Sequence, residues 1–181
     1  MKATGIVRRI DDLGRVVIPK EVRRTLRIRE GDPMEIYIGD DGEVVFKKYS
    51  PVASLDQFAG DYARSLHKVS GYAVLVCDRG KVIEAVGIPK KNIVGQPVSQ
   101  ELIDSGAGHN SQGIPLQKTQ RFAPVEGQEY QAMVSAPILV DSDVDGFIVM
   151  LAKDEDSVAG ESEIKLIQTA AVFISSLLSG Y

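Results

Sequence analysis

Apolar positions along the chain change period several times, and each change marks an element. Gly5 to Ile10 is a short β-branched run closed by the turn Asp11-Asp12-Leu13-Gly14. Arg15 to Ile18 reads as a second strand, ended by Pro19. Proline also suits the first turn of a helix, and the pattern predicts one over Lys20 to Arg27. Glu30-Gly31-Asp32-Pro33 is a turn. Glu35 to Ile38 and Glu43 to Lys47 alternate polar and apolar around Gly39-Asp40-Asp41-Gly42, a hairpin signal.

Ser50-Pro51 pairs a good N-cap with a good first helical residue. The helix predicted to follow runs from Val52 to His67, with Val52, Leu55, Ala59, Tyr62 and Leu66 at alternating spacings of three and four, and Gly71 stopping it. Tyr72 to Cys77 and Lys81 to Val86 flank Asp78-Arg79-Gly80 as another hairpin. A polar, glycine-bearing stretch covers Gly87 to Gln120, interrupted by a short helix over Val98 to Ile103. Tyr130 to Val140 and Gly146 to Ala152 are long apolar strands joined through Asp141-Ser142-Asp143. A closing helix over Ser162 to Leu178 carries two apolar stripes, one through Ile164, Ile167, Ala171, Ile174 and Leu178, the other through Leu166, Ala170, Phe173 and Leu177. A surface helix needs one such face, so the second points to another helix, from this chain or from a partner. The expected class is α+β, divided into a head at 1–50, a linker helix at 51–70 and a C-terminal domain at 71–181.

The head is too small to bury much core by itself, which points to an oligomer. Composition changes this picture little: 44 % of the 181 residues are apolar and 25 % charged, as in an ordinary globular protein. One cysteine makes no internal disulfide, and no apolar run is long enough to span a bilayer. Both suit a cytoplasmic protein.

Charge changes the picture more. The formal net charge is −4, yet residues 1–29 hold nine Lys and Arg against three acids, a local +6. On a helical wheel with Val22 and Leu26 facing the core, Arg23, Arg27, Lys20 and Arg24 fill one arc of about 100° that no acid enters. Solvated helix faces intersperse acids at i,i+4, and stacked like charges cost stability unless an anion neutralises them. Arg8, Arg9 and Arg15 on the adjoining hairpin extend the same character. So many cations on strand and helix suit a nucleic-acid backbone better than a single phosphometabolite.

The run DDLGRVVIPKEVRRTLRIREGDPMEIYI, within residues 1–50, resembles the AbrB-type swapped-hairpin DNA-binding domain. The resemblance implies a dimer of interleaved hairpins closed into a β-barrel, binding double-stranded DNA through Arg8, Arg15, Arg23 and Arg24, with Lys2, Arg9, Lys20 and Arg27 as weaker candidates. It places Val16, Val17, Ile18, Leu26 and Ile36 in a shared core, and implies readout of DNA shape more than of a base code. GYAVLVCDRGKVIEAVG and SAPILVDSDVDGFIVMLAKD resemble the paired central strands of GAF domains. The two modules in this order resemble transcription regulators of endospore-forming bacteria. That resemblance implies a homotetramer assembled through the GAF-flanking helices, a role in sporulation, and a place at the nucleoid, in the forespore.

Candidate chemistry in the second half is sparse. Cys77 lies in an apolar strand, where an inert buried thiol is expected. His67 and His109 lack metal-ligand spacing, His67 being placed to cover the end of its helix. No Ser–His–Asp pattern, phosphate loop or paired-acid motif appears, so neither catalysis nor a cofactor is expected. A small-molecule pocket under the Gly87–Gln120 region would involve Asn92, Ser105, His109 and Arg121; a plain solvent-exposed loop is the alternative. Two other readings of the whole chain stay open: an antitoxin-type DNA-binding autoregulator, and a ligand-sensing GAF protein whose basic head binds another polyanion.

Overall fold

The computed structural model describes residues 4–26, 28–50, 52, 56–106, 114–115 and 121–179. The chain divides into two compact units, Met1–Tyr49 and Ser50–Tyr181. Lys2, Arg27 and His109, singled out from the sequence, lie outside the described residues.

In the first unit, helix α1 (Lys20–Thr25) follows Pro19 directly, and strands β1 (Met34–Ile38) and β2 (Val44–Lys48) form an antiparallel hairpin. Gly42, at φ +78°, adopts the left-handed conformation the hairpin turn requires. Asp32 anchors the preceding turn: its carboxylate accepts from the Arg29 N–H at 2.8 Å and pairs with Lys48 Nζ at 3.0 Å. Within the described residues of this unit the only ladder joins β1 to β2, so the predicted strands at 5–10 and 15–18 carry none. Strand propensity does not produce a ladder until an edge is beside it. No described residue of 4–49 is buried.

The second unit is built on a five-stranded antiparallel sheet in the order β4-β3-β7-β6-β5. Its strands are β3 (Val74–Asp78), β4 (Val82–Val86), β5 (Ile114–Pro115), β6 (Ala132–Val140) and β7 (Asp143–Leu151). The sheet is covered on both faces, which is why its central strands read as unbroken apolar runs and not as alternation. Val74, Val76, Ile148 and Met150 face one core with helices α2 (Asp56–Ser70) and α4 (Glu161–Ser179). Leu75, Cys77, Phe147 and Val149 face the other, with Leu102 of helix α3 (Gln100–Ser105) and with Ile93, Val98 and Val125.

Local chemistry fixes the element ends. Gly71, at φ +71°, closes α2 by donating its N–H to His67 O at 2.7 Å. His67 Nδ1 lies 2.7 Å from Tyr72 O, and since a carbonyl only accepts, Nδ1 carries the proton. Ser99 caps α3, its side chain accepting from Leu102 N. Asp141 and Ser142 take φ of 50° and 73° in the two-residue turn between β6 and β7, the twist-matched geometry for a tight hairpin. Where the β6–β7 register shifts between Ile138 and Leu139, the Leu139 N–H donates instead to Ser175 Oγ at 2.9 Å, tying α4 to the sheet. Burial, then the neighbouring Asp78 charge, pushes the Cys77 thiol far up, which leaves it protonated and inert.

Candidate nucleic-acid interface

The basic surface starts at the Asp11–Arg15 turn. Asp11 Oδ1 accepts from the Leu13 N–H at 3.1 Å and the Arg15 N–H at 2.8 Å, while Oδ2 accepts from Arg15 Nε at 2.8 Å. The backbone closes the same turn: Asp11 N–H donates to Arg15 O and Gly14 N–H to Asp11 O, with Gly14 at φ +76°. The Arg15 N–H, its guanidinium and the Leu13 N–H together hold the Asp11 carboxyl below the usual carboxylate range.

Pro19 then turns the chain into α1, its carbonyl accepting from the Arg23 N–H at 2.9 Å. Lys20 stands in the first turn, and Arg23 and Arg24 in the last, where cations complement the helix dipole. Arg24 is exposed and Arg23 half-buried, so the two are not equivalent. Arg8, Arg9 and Arg15 are exposed, with Arg8 Nη1 donating to Val7 O at 3.0 Å. Among the described residues, Arg8, Arg9, Lys20, Arg23 and Arg24 form ion pairs with no acid. In the same unit, Val17 is 69 % and Ile38 84 % exposed, and Val16, Leu26 and Ile36 are exposed as well.

In the second unit, Asn92 is exposed at the end of a 3-10 turn and Ser105 Oγ donates to Leu102 O at 2.7 Å. Neither lines the cavity of about 660 Å³ that Arg121 shares with Tyr130, Gln131, Lys153 and Asp154. Arg121 Nη1 donates to the carbonyls of Asp154 and Glu155 at 3.2 and 3.3 Å. Its Nε and Nη2 are buried without a hydrogen-bond partner. Two features escaped the sequence reading: the 127–131 and 152–155 segments that wall this cavity, and Asp11, counted there only as an acid within a basic run. An aspartate four residues before an arginine, with a glycine between, was the available signal. Among the described residues no group of His, Cys, Asp and Glu could hold a metal ion, and no helix is long and apolar enough to cross a membrane.

A five-stranded antiparallel sheet with two long helices on one face and a short helix and loops on the other has a GAF-like fold; here it follows a head of basic turn, short helix and hairpin. The GAF domain/HD domain protein from Geobacter sulfurreducens shares this fold, at a TM-score of 0.50 and 16 % identity, over 73 % of this chain and 98 % of that one. Residues 54–178 match the family described as stage V sporulation protein T C-terminal, transcription factor. Residues 7–54 match the one described as antidote-toxin recognition MazE, bacterial antitoxin. The stage V sporulation protein T of Bacillus subtilis is 45 % identical over 175 residues, 97 % of each chain. The transition state regulatory protein AbrB of the same organism is 46 % identical over 80 residues, 44 % of this chain and 81 % of that one. The chain belongs to the stage V sporulation protein T family of transcription factors.

Proposed function

We propose that this protein regulates sporulation genes by binding double-stranded DNA as a dimer of its basic head, with Arg8, Arg15, Arg23 and Arg24 as the principal contacts. One observation carries this reading: cations of the head of which Arg8, Arg9, Lys20, Arg23 and Arg24 pair with no acid among the described residues, in a unit whose apolar side chains a single head leaves in water. A fold unit with nothing buried does not hold together alone. Packing two heads through Val16, Val17, Leu26 and Ile36 buries that surface and doubles the cationic one. Phosphates are then bound by charge and by the forked guanidinium donors, and Arg23 and Arg24 divide between backbone and groove edge.

The antitoxin reading is weaker despite the MazE-type match at 7–54. Such proteins wrap their toxins with disordered tails, whereas residues 74–174 here contribute two buried cores. The test of the DNA reading is a gel shift at low salt. Arg15→Ala and Arg24→Ala will each weaken binding while leaving the melting temperature unchanged; undiminished affinity in both would remove these residues from the interface.

A second reading concerns the C-terminal unit, where Arg121 favours a small-molecule site. Its Nε and Nη2 form the side-on edge that grips a two-oxygen anion, and a buried donor pair left unsatisfied carries a desolvation cost of about 1–3 kcal/mol per group. Glu129, Asp154 and Glu155 line the same cavity and disfavour a dianion, so a monocarboxylate fits better than a phosphate. Because the two nitrogens are sealed from water, such a ligand enters with a local movement of the wall.

A further inference from the structure

We infer that Asp11 is a positioning residue for DNA binding: it holds Arg15 by Nε so that the outer edge of the guanidinium faces the nucleic acid. The inference rests on the DNA reading above and adds to it a residue of the wrong charge for that surface. Asp11 is bound three times within its own turn, twice by backbone N–H groups and once by Arg15 Nε at 2.8 Å. Arg15 nevertheless keeps 69 % of its side chain exposed, against 34 % for Asp11. Clamping Nε uses one of the five guanidinium N–H donors and leaves the Nη1/Nη2 fork turned outward, the edge that bonds bidentately to a phosphate or to a guanine. A long flexible side chain is thereby ordered before DNA arrives, which reduces what is lost on binding.

The plain alternative is an exposed i,i+4 ion pair of no consequence. The two accounts predict opposite signs. If only charge matters, removing an acid from a face that meets a polyanion strengthens binding. If Asp11 aims Arg15, removing it weakens binding.

The measurement is equilibrium binding of the full chain to a duplex at fixed salt, for wild type, Asp11→Asn, Arg15→Ala and the double variant, with thermal melting as the check on folding. Asparagine keeps one oxygen for the two backbone N–H groups but presents an NH₂ toward Arg15, so the turn survives while the clamp is lost. The expected result is about fivefold weaker binding for Asp11→Asn, the weight of one hydrogen bond, vanishing when Arg15 is already alanine. Asp11→Asn binding as tightly as wild type, or tighter, overturns the inference while the Arg15→Ala loss keeps the DNA reading standing. If Asp11→Asn weakens binding equally with and without Arg15, its effect does not pass through that guanidinium and the inference also fails. A wild-type chain that does not bind the duplex at all ends both.

Discussion

Arg121 carries its consequence in the atoms it leaves unused. Nη1 is taken by two carbonyls, so a ligand of the proposed site would meet the unpartnered Nε and Nη2, which suit two oxygens in a plane. A monocarboxylate that binds raises the melting temperature by mass action, in proportion to the logarithm of its excess over Kd. We expect some members of a panel of small amino and keto acids to do so for the wild type and none for Arg121→Met, with inorganic phosphate inert for both. Equal shifts in the two proteins would place the ligand elsewhere. At this scale the sequence was uneven as a guide. The apolar neighbours of Cys77 foretold an inert thiol, and the position of His67 foretold a residue at its helix end, because both depend on adjacent chain. The Asp11 clamp went unread since composition weighs a carboxylate by its sign, whereas here it acts through three hydrogen bonds. Its depressed pKa also has a consequence: the clamp is intact above the ordinary carboxylate range and is lost only as pH falls through the lower value, so it stays closed at neutral pH.

Helices α2 and α4 were the easiest elements to place, since each has long 3.6-residue periodicity and clear end signals, Gly71 for α2 among them. Their apolar residues exceed what their own sheet uses. On α2, Ala59, Ala63 and Leu66 are buried, while Phe58, Tyr62 and Val69 form a second stripe about 90° away around the helix. Phe58 is 63 % and Val69 72 % exposed. Tyr62 meets Phe173 of α4 with ring centroids 5.2 Å apart, so the second stripe of α4 finds part of its cover within the chain. The remaining exposed surface supports pairing of C-terminal units between copies. Phe58→Ser with Val69→Ser will lower the oligomeric mass seen by analytical ultracentrifugation and leave the far-ultraviolet circular dichroism unchanged; an unaltered mass would remove α2 from the contact. Residues 5–10 and 15–18 are the counter-example: their strand propensity was visible, but a ladder needs a neighbour that sequence pattern does not name.

Across the whole molecule, charge and core are divided between the two units. Residues 1–29 carry the local +6 in a protein of net −4, while every buried residue among those described lies beyond 49. A head without a core gains stability by association, and the doubled cationic surface is what DNA would then meet. The acidic remainder of the chain opposes indiscriminate adhesion to polyanions. Dividing the charge by segment made this organisation legible, because a dense basic run survives any folding detail. Any pairing between copies was less legible, since apolar residues inside one chain and between chains look alike in sequence.

On the reading proposed above, a dimeric head neutralises phosphates along a duplex. The most direct test is the affinity of the full chain for DNA as a function of salt. With about four phosphates neutralised by each protomer, the logarithm of the binding constant falls against the logarithm of salt concentration with a slope near −7. Binding that does not change with salt, or no binding at low salt, would mean that the head does not neutralise DNA phosphates.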